Sequence, residues 1–163
     1  MSFPNRVNYA LPAGFAGAWA SDNPRRFAVP GPDGFRAGAG GLTIAAFGWV
    51  QTDGASVLNT GTGRPTGLVC RSQQAILAQP FEEAGMTLPA GFMATLAQGG
   101  DVFVLSTTDA TMGQTVYAAT ADGTLSTAAA GSAPEGTVDT GWTVARGGSA
   151  GLPIIITGPS GAA

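Results

Sequence analysis

The chain has 163 residues, 44% of them hydrophobic and only 10% charged, with a formal net charge of −3. It contains no histidine, its seven basic residues are all arginine, and its single cysteine is Cys70. The commonest general base and metal ligand, the Schiff-base amine, the intrachain disulfide and the Cys-rich zinc site are thereby excluded.

A chain of this length fits one domain, and its mean hydropathy of +0.20 leaves ample apolar content for a core. An average globular domain is about 25% charged. The surface here is therefore built largely from Gly, Ala, Ser, Thr and backbone, which adheres readily and suits a protein that works assembled. The arginines are scattered and only Arg25 and Arg26 are adjacent, so no basic stripe exists for phosphates, which argues against a nucleic-acid partner. No apolar run approaches the roughly 18 residues of a membrane-spanning helix, so no membrane partner is expected. The N-terminus lacks a charged segment followed by an apolar one, so the product is expected to be made in the cytoplasm and not secreted.

Residues 1–37 hold six of the thirteen aromatic side chains: Phe3, Tyr9, Phe15, Trp19, Phe27 and Phe35. Prolines separate them and no period links them. This reads as an extended N-terminal arm laid across a partner or across its own body. The body spans 38–158, and 159–163 form a short C-terminal tail.

Within the body, residues 42–50 are apolar on both faces and predict a central strand covered twice. Asp53-Gly54 predicts a hairpin tip, and 61–65 a turn before a strand over 66–71. Residues 72–84 are the only stretch rich in helix formers, and Pro80 interrupts it. Strands over 86–88 and 92–97 flank a tight reversal at Pro89-Ala90-Gly91. A strand over 101–106 follows, with apolar residues on both faces. Strands over 115–119 and 124–127 enclose Asp122-Gly123, a second hairpin tip of the type in which both central residues take φ > 0. Residues 137–145 alternate cleanly, with Val138, Thr140, Trp142 and Val144 on one face, as a half-buried antiparallel strand does. A last strand covers 152–157. The fold class is all-β: a small antiparallel β-barrel or jelly-roll-like sandwich carrying the arm.

Reactive chemistry finds few candidates. Glu82 and Glu83 are adjacent and do not face one another on a strand or a helix. An acid pair drawn from Asp101, Asp109 or Asp139 would suit a glycoside hydrolase; solvated or turn-forming carboxylates are the plainer reading. The glycine-rich stretches 38–41 and 61–67 lack GxGxxG spacing and a following helix, so they read as turns. Cys70 lacks a base to activate it and reads as a small buried hydrophobe. Arg25-Arg26 could clamp a partner carboxylate, or pair within the chain to Asp22 or Asp33. Trp19, Trp49 or Trp142 could stack on sugars in a carbohydrate-binding or tail-associated module. No catalytic, metal or cofactor site emerges.

Several segments in order, 15–25, 38–50, 65–77, 86–92, 113–118 with 122–124, and 141–145, resemble the structural cement proteins of tailed bacteriophages. The resemblance covers nearly the whole chain. It implies a capsid decoration protein, not an enzyme and without a cofactor. Such a protein binds the outer surface of the icosahedral head and bridges capsomers of the major capsid protein, often as a homodimer. The residues here that best fit a partner interface are Phe3, Tyr9, Phe15, Trp19, Arg25 and Arg26.

Overall fold

The computed structural model describes residues 14–71 and 85–159. Among them there is no helix, and thirteen strands form two main sheets and one small one. In chain order these are β1 (Arg26–Phe27), β2 (Arg36–Ala37), β3 (Leu42–Thr43), β4 (Phe47–Val50), β5 (Ser56–Leu58), β6 (Gly67–Val69) and β7 (Thr87–Leu88). Then follow β8 (Leu96–Gly99), β9 (Asp101–Leu105), β10 (Thr115–Ala119), β11 (Leu125–Ala128), β12 (Thr137–Arg146) and β13 (Pro153–Thr157). The first sheet runs β1-β8-β6-β4-β5-β2, the second β11-β10-β12-β13-β9, and β3 pairs with β7 alone. All pairs are antiparallel except β2 with β5.

One core joins the two sheets. Phe47, Val57, Leu68 and Leu96 of the first meet Val102, Val116, Trp142, Ile154 and Ile156 of the second. Phe47 and Trp142 pack edge to face with ring centroids 6.2 Å apart. Each such side chain contributes roughly 1.5–3 kcal/mol by leaving water, so this seam is the main reason the sheets stay stacked. The arrangement is sandwich-like, and among the described residues no sheet closes into a barrel. The second sheet curls far enough that Ser106, just past β9, makes one parallel bridge to Leu125 of β11. There the contact passes to hydroxyls: Thr107 Oγ1 donates to the Leu125 carbonyl at 2.9 Å, and Thr108 Oγ1 accepts from the Thr127 amide at 2.8 Å.

Most of the expected strands are present, with shifted ends. Strand β12 keeps the anticipated alternation, with Thr140, Trp142 and Val144 buried while Asp139, Gly141 and Thr143 face out. The run 42–50 is not one strand. Residues 44–46 turn between β3 and β4, with Ala45 at φ 63°, so apolar character on both faces here marks a buried turn. Residues 92–95 are not a full strand: they make a single antiparallel bridge, Met93 with Arg36, flanked by the Ala37 amide on the Phe92 carbonyl and the Ala94 amide on the Phe35 carbonyl. In β9 only Val102 and Val104 are fully buried, so its two faces are unequal. The helix-rich stretch 72–84 lies outside the described residues.

Both Asp-Gly hairpin tips exist, with a different geometry from the one expected. Gly54 and Gly123 have positive φ, whereas Asp53 and Asp122 do not. The aspartates serve through their side chains. Asp53 Oδ1 accepts the Ala55 and Ser56 amides, and Asp122 Oδ1 accepts the Thr124 amide and hydroxyl. That local hydrogen bonding favours turns in which only the glycine is left-handed.

Cys70 follows β6 and is buried, as expected, and burial pushes its thiol from 9.0 up to about 12. It therefore stays protonated at neutral pH, and the thiolate is the reactive form. The folded protein should resist a thiol-specific reagent at pH 8 and take up one equivalent only after denaturation. Rapid labelling without unfolding would contradict this burial.

Candidate functional site

The arm residues that the structure describes lie across the protein's own body. Residues 14–20 run beside β9: Gly17 and Ala20 donate to Phe103 and Asp101 carbonyls at 2.7 and 2.8 Å, and Phe103 donates to Ala18 at 2.9 Å. Trp19 bridges Val102. The chain then crosses to the other sheet, where β1 pairs with β8 and the Ala28 amide donates to Leu96 at 2.9 Å. One segment thus occupies an edge of each sheet, satisfying backbone groups that would otherwise template aggregation.

Side chains secure this path. Trp19 packs edge to face against Phe27 at 5.5 Å, and the Arg25 guanidinium lies 5.0 Å from its ring centre. Arg25 also pairs with Asp22 at 3.5 Å, one of the two intrachain partners anticipated. That pair is exposed and contributes little. Asp101 Oδ2 accepts from the Ser21 hydroxyl and from Asn23 Nδ2, each at 2.6 Å. These bonds, Ser21 first, hold the Asp101 carboxyl below its ordinary 3.8, and Thr157 adds to the effect.

A depressed folded-state pKa means the stabilisation is complete above the unfolded value and is lost as pH falls through the folded one. Arm docking should therefore persist through pH 4 and loosen only below it. In Ser21→Ala, the Asp101 carboxyl observed by carbon NMR should titrate at higher pH than in the wild type. An unchanged titration would remove Ser21 from this account.

The six residues singled out from sequence do not form one cluster. Trp19 and Arg25 are together. Phe15 stands apart, 72% exposed, with the Arg71 guanidinium 5.8 Å from its ring centre. Arg26 lines a cleft of about 360 Å³ together with Arg64, Thr66, Gln98, Thr140 and Trp142. Phe3 and Tyr9 lie outside the described residues. Sequence reasoning missed Arg64; its only signal was its place in the 61–65 turn. It also missed the exposed Val29 (90%) and Met112 (77%), isolated apolar residues with no periodic context. A second cleft, about 380 Å³ and almost wholly apolar, lies between the sheets near Ile44, Met86, Leu105 and Leu125.

The carboxylates considered for acid–base work are each used locally. Asp101 anchors the arm, Asp109 Oδ1 accepts the Ala150 amide, and Asp139 Oδ1 accepts the Gly141 amide. Glu82 and Glu83 lie outside the described residues. Trp49 and Trp142 are core residues, which removes two of the three stacking platforms a sugar-binding site would use. Among the described residues no group of three or more Cys, Asp or Glu side chains could hold a metal ion.

The described residues thus form an all-β sandwich in which Asp101, Asp109 and Asp139 are each hydrogen-bonded within the fold. Residues 3–158 match the family described as XM1 gp53 minor capsid protein, and the chain belongs to that family of phage capsid-associated proteins. Its fold is similar to a chain in a structure titled "The capsid of Myoviridae Phage XM1". The TM-score is 0.61 at 16% identity, over 98% of this chain and 99% of the other. No curated protein sequence matches the chain.

Proposed function

We propose that the protein is a cement subunit: it binds the outer surface of the phage head and bridges neighbouring capsomers of the major capsid protein, as a homodimer in preference to a trimer. It works without catalysis or cofactor, and it is made in the host cytoplasm before joining the virion. The observation that carries this reading is the match of residues 3–158 to the XM1 gp53 minor capsid protein family, beside which Phe15, Val29 and Met112 are exposed apolar side chains free to make contacts on a surface with few charges. A subunit bound only to the closed shell stabilises it by mass action, and repetition over the shell makes modest single-site affinity sufficient.

In this reading residues 1–37 make contacts, 38–158 supply the rigid body and 159–163 are a C-terminal tail. The proposed interface is Phe3, Tyr9, Phe15, Trp19, Arg25 and Arg26. Phe15 is placed to touch the partner, while Trp19 and Arg25 fix the arm that presents it.

The test is decoration of heads lacking this protein, followed by sedimentation and cryo-EM. Phe15→Ser should fold with an unchanged Tm and decorate about tenfold more weakly, the size expected for a contact worth roughly 1.4 kcal/mol. Wild-type protein that stays in the supernatant would overturn the cement reading. Normal decoration by the variant would overturn only the role of Phe15.

A further inference from the structure

The cleft that receives Arg26 carries two arginines and no carboxylate among the described residues. Two guanidinium groups, Arg26 and Arg64, line it. The one ion pair among the described residues is Arg25 with Asp22, so neither of these two arginines has a carboxylate partner there. Arg26 donates from one terminal nitrogen to the Gln98 carbonyl at 3.3 Å, and its Nε is buried without a hydrogen-bond partner. Leaving a buried charged donor unpaired is costly.

Arg64 is held more tightly. Its Nε donates to the Thr140 carbonyl at 3.1 Å, and one terminal nitrogen of its guanidinium comes up against Gly141. A Cβ at 141 would overlap the guanidinium, so glycine, here at φ 74°, is what lets the arginine lie there. Gly141 sits where β12 loses register with β10, between Tyr117↔Asp139 and Val116↔Trp142. A bulge and a glycine in the middle of the longest strand thus serve to seat one arginine. With Nε committed, the terminal nitrogens make no hydrogen bond among the described residues. The walls add an apolar side from Trp142, Pro65 and Pro159, and Gln98 is tied by its own amide to the Thr66 carbonyl at 3.1 Å.

We propose that this cleft is a carboxylate-binding site that accepts an acidic side chain of a partner protein. Guanidinium matches a carboxylate with parallel charge-assisted hydrogen bonds, and two arginines lining one cleft offer two sets of such donors. A protein carboxylate fits better than a nucleic-acid backbone because the basic groups stop at two and the chain as a whole carries −3. The partner's identity as a shell protein rests on the cement reading; the carboxylate site does not.

The test uses the full-length protein with its arginine Nε–H groups observed by nitrogen-15 NMR. Sodium acetate and glutarate are titrated against sodium chloride of equal ionic strength, with inorganic phosphate and a short oligothymidine run separately. The Arg26 and Arg64 signals should move saturably with the carboxylates while the other five arginines stay still. Arg64→Gln, at an exposed position, should weaken that binding about tenfold or more. Equal drift of all seven signals, saturation by phosphate without acetate, or tighter binding of the oligonucleotide would each overturn the assignment. In the decoration assay, Arg26→Gln and Arg64→Gln with wild-type melting should lose attachment. Normal attachment would reject the cleft and leave the cement reading standing. If the wild type itself does not attach, the cement reading fails and the acetate titration alone decides the cleft.

Discussion

Replacing Gly123 with alanine should lower Tm by about 10 °C, a loss of roughly 3 kcal/mol for a chain this long. Gly123 takes φ 70° at the tip between β10 and β11, and its carbonyl accepts the Phe47 amide of β4 at 2.8 Å. A methyl group there meets the Phe47 carbonyl oxygen, which is backbone and cannot step aside. The strain of a left-handed alanine costs about 1 kcal/mol; the larger share comes from forcing the two sheets apart. Gly113→Ala separates these effects, since Gly113 also has positive φ, 85°, but open space around it. It should cost only the conformational part, a shift of about 3 °C. Equal losses at the two positions, measured by calorimetry, would show that the sheet contact at Gly123 contributes nothing.

Truncating Trp142 to alanine should cost at least as much, about 3–5 kcal/mol in all. Its ring is buried in the seam against Phe47, and it belongs to β12, which lies between β10 and β13 in the second sheet. The hole it leaves is bounded by two hydrogen-bonded sheets, which collapse poorly into a void. Trp19→Ala should cost less in global stability because Trp19 is only partly buried and lies outside the core. Its effect should appear instead as faster hydrogen exchange at Ala20 and Phe103, the amides that bind the arm to β9. A Trp142→Ala protein melting within 3 °C of wild type would mean that the seam is not where the two sheets are held.

The strongly periodic parts of the molecule were readable from the chain. Residues 137–145 alternate because one face of a half-buried strand must be apolar, and β12 forms there with those faces. Asp122-Gly123 marked a hairpin because only a few residue pairs close so tight a reversal. The boundaries that failed did so for tertiary reasons. Residues 44–46 look like strand, but Ala45 is turned left-handed by its place between β3 and β4. Strands β1, β2 and β5 have two or three residues each, too few for any period to register, and they exist because neighbouring strands offer open edges. The interface candidates scattered for the same cause. Aromatic residues in the arm announce contact, and whether they touch a partner or the chain's own body is decided by segments far along the sequence. Arg64 gave almost no local sign, since its significance comes from Arg26, Thr140 and Gly141 converging on it.

The arm's docking site is synthesised long after the arm itself. Ser21 waits for Asp101, 80 residues later, and Trp19 for Val102. Contacts this distant are entropically slow to form, so residues 17–23 settle late although they are made well before the strand that holds them. Until then an aromatic-rich stretch and two bare sheet margins are open to neighbouring nascent chains, the kind of exposure through which newly made proteins clump. Yield in the cell should therefore depend more on how crowded translation is than on how firmly the finished fold holds.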